Sequence, residues 1–254
     1  KAKGVLTVAE DSPQKHYGLA LVSVAENNLE GAKTELQTVL AGWEPVLRAY
    51  AKTLLGAYEE YSLFPESPQI HLLALLSRAL ADVQECELAL PMLQTVVNAQ
   101  DDYRDAWIVK GYCELTTERS QDALVSLERA YQIDPQKPEV QYFLGRAYAM
   151  QGDHGNALTF LQYALENGFT PKKEVRRVIA IEALAMGNLT LAMEQYEADV
   201  ADADADFDAY LTYVTSAITG GRKQEAYLKA KEATEKYPAD ARAFDLLGTA
   251  AIAN

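Results

Sequence analysis

Large apolar and small residues alternate at fixed offsets between residues 104 and 171, with polar residues filling most of the remaining positions. In the stretch 104–137 the small positions are Gly111, Ala123 and Ala130, and the bulky ones beside them are Trp107, Leu124 and Leu127. Two antiparallel helices lie close only where small residues face each other, and large ones then fill the gaps. The pattern therefore predicts a helix–turn–helix unit. Asp134-Pro135 closes its second helix, because proline cannot continue a helix and disfavours helix in the residue before it. The layout returns at 138–171 with Leu144, Gly145, Tyr148, Gly152, Ala157 and Ala164. There Gly152-Asp153 makes the inner turn, glycine ending one helix and aspartate capping the next.

Weaker copies extend both ways. Residues 70–103 carry Leu73, Leu76, Ala79, Ala89 and Leu93 at matching offsets, and 173–206 and 207–240 continue the series, the first with a one-residue slip. A truncated unit begins at 241 with Phe244, Leu247 and Gly248. An N-terminal copy spans 13–46, but the next clear unit begins only at 70. Between them the pattern predicts one unpaired helix, about 45–61, and a loop Leu63-Phe64-Pro65-Glu66-Ser67-Pro68. This phase break has two readings: a divergent unit that has lost a helix, or an odd helix that caps the main array or marks a boundary. The expected organisation is thus a divergent segment 1–69 followed by an array over 70–254.

The spacing from Ala106 to Pro135 and its return resemble the tetratricopeptide repeat, a helix pair of about 34 residues that stacks on its neighbours. The resemblance implies an all-α fold, a right-handed α-solenoid of antiparallel helix pairs. Three positions depart from the family pattern: Lys110 stands where leucine is usual, Glu118 replaces the turn glycine, and Asp199 replaces a late alanine. The resemblance also implies a groove lined by the first helices at positions 2, 5, 9 and 12 of each unit. Carried over, these are His71, Ala74, Arg78 and Ala81, then Asp105, Ile108, Tyr112 and Leu115, then Glu139, Tyr142, Arg146 and Ala149, then Glu174, Arg177, Ile181 and Leu184. Arg78, Tyr112, Tyr142, Arg146 and Arg177 are the candidate partner-binding residues, since arginine and tyrosine anchor interfaces well. The carboxylate clamp of co-chaperone repeats is not implied, because its lysine and asparagine places hold Ile108 and Tyr112, then Tyr142 and Arg146.

A net charge of −14 works against general nucleic-acid binding, which needs lysine and arginine to neutralise phosphate. No apolar run reaches the roughly 18 residues of a membrane span. The chain starts at Lys1 and stops at Asn254 inside an apparent helix, which reads as a piece of a longer protein. Cys86 and Cys113 are too few for a disulfide scaffold and lack metal-ligand spacing, so they read as partly buried small hydrophobes. His16, His71 and His154 fall in different units and read as surface or packing residues. The stretch Asp199–Asp208 has the DxDxD spacing of a calcium loop, but with Asp202 first its sixth and twelfth places are Phe207 and Tyr213 instead of glycine and glutamate. It reads as a charged inter-repeat loop that caps the helix from Phe207. No nucleophile elbow, phosphate loop, dinucleotide fingerprint or zinc-protease motif is present. The expectation is a non-enzymatic scaffold without metal or cofactor, binding a protein or peptide with acidic groups. Self-assembly through the array ends, or recruitment for a larger enzyme, are the alternatives.

Overall fold

The computed structural model describes residues 2–64 and 66–254, so Lys1, and Pro65 of the predicted loop, lie outside the described residues. Among these all regular structure is helical. The chain divides into two compact units, Lys1–Pro135 and Gln136–Asn254. The first holds α1 (Ala2–Val8), α2 (Pro13–Ala25), α3 (Leu29–Ala41), α4 (Pro45–Ser62), α5 (Gln69–Asp82), α6 (Cys86–Ala99), α7 (Arg104–Thr116) and α8 (Ser120–Ile133). The second holds α9 (Pro138–Met150), α10 (His154–Glu166), α11 (Lys172–Ala185), α12 (Leu189–Ala201), α13 (Phe207–Thr219), α14 (Lys223–Lys236) and α15 (Ala241–Ala253). Consecutive helices pack on one another as antiparallel pairs within each unit.

The helix starts are written in the sequence. Pro13, Pro45 and Pro138 open α2, α4 and α9, where the missing N–H costs nothing. Ser12, Asn28, Asp153, Asn188 and Asp206 cap their helices with side-chain oxygens. The turns inside the pairs repeat one left-handed residue. In the first unit it is Asn27, Gln84 and Glu118, at φ 57°, 65° and 62°. In the second it is Gly152, Gly187 and Gly221, at 75°, 73° and 77°. Glu118 therefore keeps the geometry of the glycine it replaces and carries the steric cost of its Cβ.

Close approach explains the small positions. A Cβ on Gly111 would sit 2.4 Å from Leu127, and one on Gly145 would sit 2.6 Å from Leu161. The other two departures from the repeat pattern are buried polar sets. Lys110 Nζ donates to Glu114 Oε1 at 2.5 Å and to Ser126 Oγ at 2.9 Å, and Ser126 donates to Glu114 Oε2 at 2.6 Å. Asp199 accepts from Arg176 at 3.1 Å, and Asp202 accepts from the same guanidinium at 2.5 Å. Burial holds the Asp199 carboxyl above its ordinary range, with Arg176 pulling it back.

Cys86 and Cys113 correct the sequence reading. They are joined as a disulfide between α6 and α7, with Cα atoms 5.0 Å apart. Spacing along the chain could not show this, because the pairing depends on two successive helix pairs packing side by side. The helix α4 packs between α3 and α5. Its Tyr58 hydroxyl, in the core, donates to the Leu29 carbonyl at 2.8 Å, and Tyr61 donates to the Ser67 carbonyl at 2.8 Å.

Candidate functional site

The first helices of the pairs carry the candidate residues, and the two units present them differently. In the first unit Ala74, Ala81, Ile108 and Leu115 are all buried, which leaves little apolar surface on that face. Tyr112 is half-buried and packs on the core of this unit. Arg78 is exposed, but its Nη2 donates to Glu60 of α4 at 2.5 Å. Nearby, His71 Nδ1 shares a hydrogen bond of 2.9 Å with the Tyr103 hydroxyl. The other two histidines also meet partners: His16 lies between Glu35 at 2.6 Å and Asp11 at 2.9 Å, and His154 bonds Glu182 at 2.6 Å.

In the second unit Tyr142 and Arg146 sit together on α9, and Arg177 stands on α11, which packs against it. Tyr142 is buried and stacks on Phe169 at 4.2 Å between ring centres. The Arg146 guanidinium lies over the Tyr142 ring at 5.8 Å, in cation–π range. Burial pushes the Tyr142 phenol above its usual range; Arg146 and Arg177 pull it down and Glu174 pushes it up, so all three charges reach this hydroxyl. Arg177 is exposed on α11, and Ile181 and Leu184 continue its stripe with 49% and 42% of their surface in water.

A furrow runs beside that stripe. At one end Lys173, Arg177 and Ile181 of α11 face Asp208, Ala209 and Thr212 of α13 around a hollow of about 380 Å³, with Tyr196 and Asp199 of α12. At the other end Leu184 and Leu189 face Thr215, Ser216, Thr219 and Gly220 around a second hollow of about 340 Å³. N-terminal residues of α11 thus meet N-terminal residues of α13, and C-terminal meet C-terminal, so the two helices run parallel. Sequence reasoning missed the α13 wall. Position 2 of the 207 unit, Asp208, and position 9, Thr215, were the signal that could have found it.

The acidic stretch is occupied by its own neighbours. Asp199 and Asp202 hold Arg176. Asp206 accepts from Lys173 at 2.5 Å and from the Ala209 backbone at 3.0 Å, and the lysine keeps its carboxyl below the ordinary range. No group of three or more metal-ligating side chains occurs among the described residues, and no helix there is long and apolar enough to cross a membrane.

Two family models, both described as tetratricopeptide repeat, match residues 75–138 and 115–180. No curated protein matches the chain. Among solved structures it is similar to TTC0263, a thermophilic TPR protein of Thermus thermophilus, with TM-score 0.52 and 21% identity over 82% of this chain and 100% of that one. It is also similar to MamA, with TM-score 0.59 and 21% identity over 68% of this chain and 94% of that one. A third is YrrB, described as a TPR protein with an unusual peptide-binding site, with TM-score 0.56 and 18% identity over 74% of this chain and 96% of that one. These likenesses carry the fold, and the repeat models carry the sequence. With repeats matched over 75–180 and paired helices on both sides of them, the chain belongs to the tetratricopeptide-repeat family.

Proposed function

We propose that the second unit captures an acidic group of a protein or peptide partner at Tyr142, Arg146 and Arg177. Proteins of this fold act generally as protein-interaction scaffolds, and the description of YrrB names a peptide-binding site in one of them. The observation that carries the reading is the arginine pairing. The chain has ten arginines. Arg78, Arg104, Arg119, Arg129, Arg176, Arg222 and Arg242 each hold a carboxylate among the described residues. Arg48 bonds the Leu40 carbonyl. Arg146 and Arg177 hold no carboxylate among the described residues, in a chain of net charge −14 where acids outnumber bases. A guanidinium fork left open toward solvent, beside a fixed aromatic ring, is suited to a bidentate carboxylate. Arg78 and Tyr112 of the first unit belong to the same candidate set, with Arg78 already holding Glu60.

Selection of short random displayed peptides on the intact protein tests this. Peptides rich in Asp and Glu should be enriched, and Arg146→Glu with Arg177→Glu should abolish that enrichment. Selection of peptides without acidic residues, or no change in the double variant, overturns the reading.

A further inference from the structure

Lys173, Arg177, Ile181 and Leu184 follow one another up a single stripe of α11, at steps that place them on one helix face. The stripe changes character along its length. Its lower half is cationic, with Lys173 engaged by Asp206 and Arg177 open. Its upper half is apolar, with Ile181 and Leu184 each keeping nearly half of their surface in water. α9, with Tyr142 and Arg146, packs on α11, and α13 forms the other wall of the furrow. On the α13 wall, Thr215 and Thr219 turn their hydroxyls back onto their own helix, onto the carbonyls of Leu211 and Thr215. Thr212 and Ser216, one turn apart and both lining the furrow, donate to no other described group.

We infer, resting on the acidic-group reading above, that the partner segment is an extended peptide with a bipartite signature. An acidic side chain meets Arg146 and Arg177, and an apolar side chain three residues away enters the hollow at Leu184 and Leu189. The spacing follows from the geometry. Seven helical residues separate Arg177 from Leu184, a rise of roughly 10 Å. An extended chain covers roughly the same 10 Å in three residues. Side chains three apart in an extended chain leave on opposite edges. That matches a carboxylate directed to the α9 side and an apolar group directed to the α13 side. The Thr212 and Ser216 hydroxyls supply donors to the peptide backbone, whose polar groups need partners once water is displaced. Asp208, facing the hollow at the Lys173 end, disfavours a second acidic residue on the side of the acidic anchor away from Leu184.

The same displayed-peptide selection, repeated on Leu184→Asp, separates the inference from the reading beneath it. On the native protein, acidic and apolar residues three apart should be enriched, with further acidic residues depleted on the side of the acidic residue away from the apolar one. A selected peptide of that kind, synthesised and titrated by fluorescence anisotropy, should bind Leu184→Asp roughly tenfold more weakly, as loss of one buried aliphatic contact requires. Acidic enrichment should survive in that variant. Should Leu184→Asp fail to give a native melting transition, Leu184→Thr takes its place at this exposed site. Acidic peptides with no apolar residue at the fixed spacing, or affinity within twofold in the Leu184 variant, overturn the bipartite signature and leave the acidic reading standing. Selected peptides that lack acidic residues overturn the acidic reading itself.

Discussion

Arg78 and Arg146 occupy the same ninth position of their repeats, one in each compact unit, and they meet opposite fates. Arg78 holds Glu60, which comes from α4, the helix packed between α3 and α5. Arg146 lies over its own repeat's Tyr142 and holds no carboxylate among the described residues. The difference continues along the first helices. In the first unit Ala74, Ile108 and Leu115 are buried, whereas in the second Arg177, Ile181 and Leu184 face water. It continues into the backbone as well: Asn27, Gln84 and Glu118 hold the left-handed turns of one unit, and Gly152, Gly187 and Gly221 those of the other. A repeat position thus specifies where a side chain stands, while its neighbours decide whether its charge is left for a partner.

The contrast can be broken most forcefully at the disulfide, which only the first unit has. Cys86→Ala with Cys113→Ala should remove roughly 3.5 kcal/mol of stability, by the loop-entropy argument for a crosslink of this span. Amide hydrogen exchange should speed up in residues 1–135 and stay unchanged in 136–254. At the candidate site, Arg146→Glu with Arg177→Glu should weaken a selected acidic peptide at least about tenfold, since hydrogen bonds to charged groups contribute about 1.5–3 kcal/mol. Arg78→Glu, by contrast, should change that affinity less than about twofold, since its charge is already held. The turns should respond with opposite signs in the two units. Glu118→Gly should raise the denaturation midpoint by the equivalent of about 0.5–1 kcal/mol, and Gly152→Ala should lower it by about 1 kcal/mol. Glu60→Gln frees Arg78, and the first unit should then gain a weak affinity for acidic peptides, of about threefold, as expected for one exposed charge.

The smallest effect lies at His16, whose imidazole is held above its ordinary pKa, first by the hydrogen bond to Glu35 and then by Asp11. A raised folded pKa means that the stability it contributes is complete below the unfolded value near ~6.5. That stability is lost as pH rises through the folded value. Thermal melts of the native protein should therefore show a shallow decline in first-unit stability above that pH, and His16→Gln should remove it.

Much of the fold was legible because packing constraints repeat. Gly111 and Gly145 are small for the same reason, the leucine of the opposing helix, so the offset appears twice in the sequence. Pro135 and Asp206 end and begin helices through chemistry local to the chain, which a sequence displays directly. The Cys86–Cys113 bond was not legible, since it depends on how two helix pairs pack, and nothing in a separation of 27 residues encodes that. The candidate site was legible in part. Tyr142, Arg146 and Arg177 could be placed on one face by counting. That Glu60 would neutralise Arg78 could not, because the carboxylate arrives from α4, a different helix whose packing on α5 counting does not show. The α13 wall was legible by the same repeat offsets, since Asp208 and Thr215 fall at positions 2 and 9 of the 207 unit.

The disulfide also gives the first unit a mechanical property. A stack of helix pairs pulled from its two ends comes apart pair by pair, and each pair that opens releases its contour length. The bond between Cys86 and Cys113, a separation of 27 along the sequence, withholds the stretch between them from that extension. At about 3.4 Å per extended residue, this stretch is a hidden length of roughly 90 Å. The α6–α7 junction then acts as a force-bearing rivet, and tension applied along the array must be relieved elsewhere first.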